Sequence, residues 1–182
     1  ERTIDCLPLL QTKQLLEIGF GNGAHLPYLF AKAPYLYYTG VECSKPMIAD
    51  ATALNTELVK QGKAVFLHAP TEGLPPLPYE CFEACFTVNT YYFITNLRAY
   101  FAQVYSLLRQ GGSFVLGAIG KEFGERMPFT KEVFTFYTPE QLQELLLSVG
   151  FTAFDLQTFT EEIPTKRGTT IERPFQVITV RK

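Results

Sequence analysis

Apolar positions along the chain fall into short continuous runs that alternate with stretches of helical period, and glycine, proline or polar clusters separate them. Lys13 to Ile18 (KQLLEI) is such a run, stopped by Gly19. Glycine recurs at 21 and 23 and a helical stretch follows from Ala24 to Ala33, which predicts a strand, a glycine turn and a helix. Tyr35 to Glu42, rich in aromatic and β-branched residues, predicts a second strand. Ser44 to Gln61 reads as its helix, with Ser44 as cap, Pro46 in the first turn and Gly62 as the stop. Lys63 to Ala69 predicts a third strand, the proline-rich TEGLPPLP cannot be regular, and Cys81 to Asn89 predicts a fourth strand. The near-continuous apolarity of that fourth strand predicts burial on both faces.

Asn96 to Arg109 reads as a helix closed by Gly111-Gly112, and Ser113 to Ile119 as a fifth strand. Thr138-Pro139-Glu140 then caps a last helix that ends at Gly150. Two late strands, about Thr152 to Glu161 and Phe175 to Arg181, flank the polar turn TKRGTT and can form a hairpin. The expected fold class is therefore α/β: a seven-stranded, mostly parallel sheet with the last strand antiparallel and helices on both faces. No internal repeat or linker interrupts the pattern, so residues 1–182 are expected to form one domain. The chain opens at Glu1 without an initiator Met or a signal-peptide pattern, and an N-terminal segment is expected to be missing.

Composition narrows the function classes. The apolar fraction is 47% and the formal net charge −2, with the cations scattered, so the concentrated basic face that nucleic-acid binding needs is not expected. No apolar run approaches the roughly 18 residues of a membrane helix, so no membrane span is expected. Cys6, Cys43, Cys81 and Cys85 are too few and too irregular for a disulfide framework, and no Cys/His cluster has metal-ligand spacing. A reducing, cytoplasmic location and no metal follow. Cys81 and Cys85, four apart on the same strand face as Glu83, are expected to be structural thiols.

Sheets of this kind bind ligands beyond the carboxyl ends of their strands, where strand order reverses, so the turn after the first strand is the place to look. It reads Glu17-Ile18-Gly19-Phe20-Gly21-Asn22-Gly23. Glycines allow positive φ and close approach to a ligand, and the next helix offers unpaired N–H groups. Glu42 ends the second strand, where a carboxylate suits the paired hydroxyls of a ribose. A nicotinamide-binding turn wants G-x-G-x-x-G. Counted from Gly19 the sixth position is Ala24, a tolerated variant, so a nicotinamide-dependent oxidoreductase stays open as an alternative. Charge weighs against it, because an acidic turn repels a pyrophosphate and suits a cationic ligand without phosphate, such as the sulfonium and ammonium of S-adenosylmethionine.

LLEIGFGNG resembles the first motif of class I S-adenosylmethionine-dependent methyltransferases. GVECSKPMI resembles their second-strand acid with its adenine-packing apolar residue, and HAPTEGLPPLPYECFEACF their D-A-x-x-L-P-x-x-x-x-F-D run. LRQGGSFVLG resembles their L-x-P-G-G strand, and YTPEQLQELLLSVGF the helix before the sixth strand. The five fall in order over nearly the whole chain and point to the small-molecule branch that includes quinone C-methyltransferases. The resemblance implies a Rossmann-like domain that binds S-adenosylmethionine, releases S-adenosylhomocysteine and methylates a small molecule. A non-catalytic binding subunit of the same fold is a further alternative.

By the same resemblance, Glu17 and the backbone of Gly19, Phe20, Gly21, Asn22 and Gly23 hold the methionyl part of the cofactor, and Glu42 with Cys43 the ribose. Met47, His68, Ala69 and Pro70 frame the adenine, and Asn89 completes the set. His68 stands where the family usually has Asp and can accept from the adenine amine only as a neutral tautomer, which shifts recognition toward the Ala69 backbone and packing by Met47 and Pro70. Glu83 replaces the second Asp and Gln110 the Pro of their motifs. Asn89-Thr90-Tyr91-Tyr92-Phe93 is not the N-P-P-Y signature. Tyr91 and Tyr92 are acceptor-side candidates, with core packing as the alternative for each. Methyl transfer is an in-line displacement that positioning can largely catalyse, so no base is assigned, and Tyr91, Tyr92, Glu122 and Glu125 are the residues able to serve as one. The aromatic-rich stretch 121–138 is expected to border the acceptor or act as a lid.

Overall fold

A computed structural model describes residues 1–69, 73–127, 130, 133–164 and 170–182, with residue 164 as backbone alone. Its strands are β1 (Gln14–Ile18), β2 (Tyr37–Glu42), β3 (Ala64–His68), β4 (Phe82–Val88), β5 (Leu108–Ile119), β6 (Thr152–Pro164) and β7 (Thr170–Arg181). They form one seven-stranded sheet in the order β3-β2-β1-β4-β5-β7-β6. The first five pair in parallel, and β7 runs antiparallel to both β5 and β6, the arrangement expected from the alternating pattern and the terminal hairpin. The helices are α1 (Arg2–Asp5), α2 (Leu26–Lys32), α3 (Lys45–Leu54), α4 (Thr56–Lys60), α5 (Leu97–Leu107), α6 (Lys121–Glu125) and α7 (Pro139–Val149).

Strand order reverses across β1, since β2 and β3 follow on one side and β4 and β5 on the other. Right-handed crossovers in opposite directions put α2 and α3 on one face and α5 on the other. There α7 packs against α5. The central strands are covered on both faces, with Leu15, Leu16, Ala84, Cys85 and Thr87 completely buried. Cys85 is thus a core thiol, whereas Cys81 is half-buried just before β4.

Several elements differ from the expected bounds, and long-range contacts account for the largest differences. The helix expected over Ser44–Gln61 is split into α3 and α4. Asn55 leaves helical geometry (φ −115°, ψ 31°), and its buried amide donates to the carbonyls of Ala51 (2.9 Å) and Gly23 (3.2 Å). The helix expected up to Arg109 stops at Leu107, and β5 begins at Leu108, not Ser113. The Gly111 N–H donates to the Lys182 carbonyl and the Lys182 N–H to that of Gly112, so the C-terminus draws the glycine pair into the ladder. The hairpin strands run further than expected, and β6, at the sheet edge, carries an irregularity at Ala153 (φ 53°) that interrupts its pairing. The caps match the pattern: Ser44 Oγ accepts from the Met47 N–H, and Thr138 with Gln141 forms a capping box.

Candidate functional site

β1 leaves the sheet at its reversal point through a turn of left-handed glycines, Gly19 (φ 76°), Gly21 (φ 61°) and Gly23 (φ 66°). Their surroundings differ. A Cβ at Gly19 would collide with the Thr90 methyl, and one at Gly23 would lie 3.0 Å from the Asn55 amide, but at Gly21 nothing stands within 4 Å. Gly21 is the open point of the turn. The end of β4 is fixed against it: Thr87 Oγ1 donates to the Ile18 carbonyl (2.7 Å) and also bonds the Thr90 hydroxyl. Asn22 is exposed, and its Oδ1 accepts from the Ala24 N–H (3.2 Å).

Two cavities open onto this turn. The first, of about 260 Å³, has apolar walls from Ile18, Val41, Ala69, Val88 and Ile94, with Glu42 and Cys43 at the end of β2. The second, of about 310 Å³, is bounded by Glu17, Phe20, His25, Glu161 and Arg173. Gly19, Gly21, Val88 and Asn89 line both, so the cavities meet at the carboxyl ends of β1 and β4.

Glu42 is the most heavily bonded group in the first cavity. Its Oε1 accepts from the N–H groups of Cys43 (2.8 Å) and Ser44 (3.0 Å) and from the Cys43 thiol (3.3 Å), and its Oε2 from the Gly21 N–H (3.0 Å). Burial by itself would raise its pKa. The donated bonds from Ser44, Gly21 and Cys43 outweigh burial and leave the carboxyl below its ordinary value, so Glu42 is anionic at neutral pH. One lone-pair direction of Oε2 remains for a ligand.

Residues 16–116 match the family described as the methyltransferase domain. The chain belongs to that family. Over 116 residues it is 26% identical to an uncharacterized protein of Haemophilus influenzae, a match that covers 62% of this chain and 44% of that protein, so the chain spans less than half of that relative. An S-adenosylmethionine-dependent methyltransferase from Mesorhizobium loti shares the fold at a TM-score of 0.75 and 17% identity, covering 100% of this chain and 96% of that one. So does the Burkholderia thailandensis 1,6-didemethyltoxoflavin-N1-methyltransferase with bound 1,6-didemethyltoxoflavin and S-adenosylhomocysteine, at 0.72 and 19%, covering 100% and 77%.

In this methyltransferase domain the remaining expected residues take up different positions. Glu17, 3% exposed, accepts from the Tyr38 hydroxyl (2.5 Å) and pairs with His25 Nε2 (2.7 Å). Burial, and then Glu17 beside it, push the Tyr38 phenol well up, so Tyr38 keeps its proton. Two acceptors cannot pair, so His25 Nε2 carries a proton as well. His25 is a cavity residue that sequence reasoning left outside the site. The one signal for it was its place in the first turn after the glycines. His68 lies beside Glu42 in the β2–β3 register, but its Nε2 meets the Cys43 carbonyl (3.1 Å) and its side chain stands outside the lining of the first cavity. Nε2 is thereby the protonated nitrogen, and Nδ1 is the one left to accept. Met47 is exposed and also outside the lining, whereas Ala69 is part of it; Pro70 lies outside the described residues.

Tyr91 and Tyr92 begin a 3₁₀ turn, Tyr91–Phe93, and both are buried behind the cavity walls. Their rings lie 4.5 Å apart, and Tyr92 also packs on Phe136 (4.9 Å) and Phe134 (5.3 Å). Part of the stretch 121–138 therefore closes over Tyr92; residues 128, 129, 131 and 132 lie outside the described residues. Burial pushes the Tyr91 phenol up to about 12, with the Tyr137 backbone offsetting part of the rise, and raises Tyr92 as well. Neither is a ready base at neutral pH. Glu122 and Glu125 on α6 are exposed and outside both cavities. Among the described residues no cluster suited to a metal occurs, and no helix is long and apolar enough to cross a membrane.

Proposed function

We propose that this domain binds S-adenosylmethionine across both cavities and transfers its methyl group to a small-molecule acceptor by in-line displacement. What carries the reading is Glu42: an ionised carboxylate at the end of β2, on the wall of an apolar cavity, tied to the N–H of the open glycine Gly21. The residues present fit the cofactor piece by piece. The apolar wall from Ala69 to Ile94 suits an adenine, Glu42 Oε2 has room for one ribose hydroxyl, and the absence of a side chain at Gly21 leaves space for the chain beyond. The second cavity offers both signs of charge to an amino-acid tail: Glu17 and Glu161 for an ammonium, and Arg2 with Arg173 for a carboxylate.

When bound, the cofactor supplies an electrophilic methyl group on a leaving sulfur, so the protein's work is placement and exclusion of water. Fixing two reactants in one geometry can supply roughly 7 to 11 kcal/mol of the barrier. Tyr91 and Tyr92, which hold their protons, are not asked to act as bases.

Titration calorimetry with S-adenosylmethionine, S-adenosylhomocysteine and NAD⁺ tests the reading. The first two are expected to bind and NAD⁺ not, because Glu17 and Glu42 flank the turn where its pyrophosphate would lie. Glu42→Ala is expected to weaken S-adenosylhomocysteine by about 1.5 to 3 kcal/mol, the scale of a hydrogen bond to a charged group. It should also lower thermal stability, because three N–H groups lose their acceptor. Unchanged affinity in a folded variant would remove the main support. Turnover is then read as methyl-label transfer from the cofactor to small molecules of a metabolite extract.

A further inference from the structure

Asn89 walls both cavities where they meet, and its side chain is held in one orientation. Its backbone is left-handed (φ 56°), a conformation asparagine tolerates better than most residues, and its N–H donates to the Gly117 carbonyl (2.9 Å). The Tyr92 oxygen lies 2.5 Å from Asn89 Oδ1 and 3.4 Å from the Ile119 backbone nitrogen. A backbone N–H can only donate, so Tyr92 accepts from Ile119 and sends its single proton to Asn89. The end of the carboxamide that faces Tyr92 is therefore the oxygen. The other end, Nδ2, has no partner among the described residues.

A donor at that junction must meet a lone pair. In the cofactor proposed above, the sulfonium and the ammonium are cations, and the adenine and ribose lie toward Ala69 and Glu42 in the first cavity, so the lone pairs that reach the junction are those of the cofactor's carboxylate and of the methyl acceptor. The carboxylate already has Arg2 and Arg173 around the second cavity. We propose that Asn89 Nδ2 is the hydrogen-bond donor to the methyl acceptor, that Tyr92 is the positioning residue that turns it, and that the acceptor is an oxyanion of the phenolate or enolate class.

The preference for an anion follows from the absence of a free base among the described groups at the junction and from the sulfonium that the oxyanion would face, whose positive charge offsets the Glu17 and Glu42 carboxylates that repel a pyrophosphate. His25 Nε2 is committed to Glu17, Glu161 is tied to Arg173, and the Tyr92 proton is committed to Asn89. An acceptor that arrives ionised needs no base. Attack of its oxygen lone pair on the methyl carbon, with the C–S electron pair leaving to sulfur, turns an oxyanion and a sulfonium into a neutral ether and a thioether, and no proton is left over.

The inference rests on the methyltransferase reading, and its test separates the two. Calorimetry with S-adenosylhomocysteine comes first. The loaded protein is then titrated with 4-nitrophenolate at about pH 8.5, followed by its absorption band, which shifts when a donor bonds the phenolate oxygen. Asn89→Asp keeps the shape, the tolerance of left-handed φ and the acceptor for Tyr92, but replaces the Nδ2 donor by an anionic oxygen. It is expected to bind S-adenosylhomocysteine within about threefold of wild type and 4-nitrophenolate at least about tenfold more weakly. Tyr92→Phe is expected to keep cofactor affinity and lose the band shift.

The proposal is overturned if wild-type loaded protein does not bind 4-nitrophenolate, or if Asn89→Asp binds it as well as wild type. It is also overturned if Asn89→Asp loses about tenfold in S-adenosylhomocysteine affinity but nothing for 5′-methylthioadenosine, which lacks the amino-acid tail. Failure of the wild type to bind S-adenosylhomocysteine overturns the methyltransferase reading itself, and with it this proposal.

Discussion

At the scale of single residues, the two glycines nearest the cavities carry different constraints although both have positive φ. Gly19 is left-handed and wedged against Thr90, so a side chain there meets the end of β4. Gly21 has the same backbone need but no neighbour within 4 Å, so a side chain there would project into the space proposed for the cofactor. Gly21→Val is therefore expected to fold, with a penalty of about 1 to 2 kcal/mol for a β-branched residue at positive φ, and to lose cofactor binding by more than Glu42→Ala does. Gly19→Val is expected to lose folded protein outright, because the Thr90 hydroxyl bonds that of Thr87, which fastens β4 to Ile18. Thermal melts with calorimetry on the soluble variants check both. Full cofactor affinity in Gly21→Val would move the ligand away from the turn.

At the scale of elements, Asn55 shows how one side chain can shape a helix and a ligand turn together. Its amide breaks α3 from α4 and reaches the Gly23 carbonyl, bracing the far end of the glycine turn from the next unit of the fold. Asn55→Ala leaves that buried carbonyl without its donor and is expected to cost about 1 to 3 kcal/mol in urea unfolding, and to weaken S-adenosylhomocysteine as the turn loosens. Stability equal to wild type would show that the brace contributes nothing. This contact also marks the limit of what the sequence reveals. The strand periods, the glycine turn, Glu42 and the caps at Ser44 and Thr138 are local patterns, and they were legible. Asn55 reads as an ordinary helix residue until the fold brings Gly23 beside it. The early start of β5 depends on pairing with Lys182 at the other end of the chain, and the Glu17–His25 and Tyr92–Asn89 pairs exist only once the turn and the strand ends are placed. His68 stands at the expected strand end, but its ring direction is set by the Cys43 carbonyl, which no spacing rule encodes.

For the whole molecule, pH links the site to stability through groups shifted in opposite directions. Glu42 lies below its ordinary value, so its contribution is present above about 4.5 and is lost as pH falls through the lowered value. The buried phenols behave in the opposite sense. Tyr100, on α5 against the first cavity, has its pKa raised by burial and then by Cys85, and the nearby Thr87 and Thr90 hydroxyls, which bond each other and the Ile18 carbonyl, offset part of the rise. A raised phenol pKa favours the folded state below the ordinary value of 10.0, and the benefit disappears as pH climbs from there toward the folded value. Because the buried Tyr100 hydroxyl has no hydrogen-bond partner among the described residues, Tyr100→Phe removes a polar atom that costs free energy to bury and no hydrogen bond. It is expected to be at least as stable as wild type at pH 7 and to decline less steeply above about pH 10. Urea midpoints from pH 6 to 11 compare the two proteins. A clear loss at pH 7 would mean that the hydroxyl is bonded in solution, and an identical alkaline decline would assign that limb to other groups, beginning with Tyr91 at about 12.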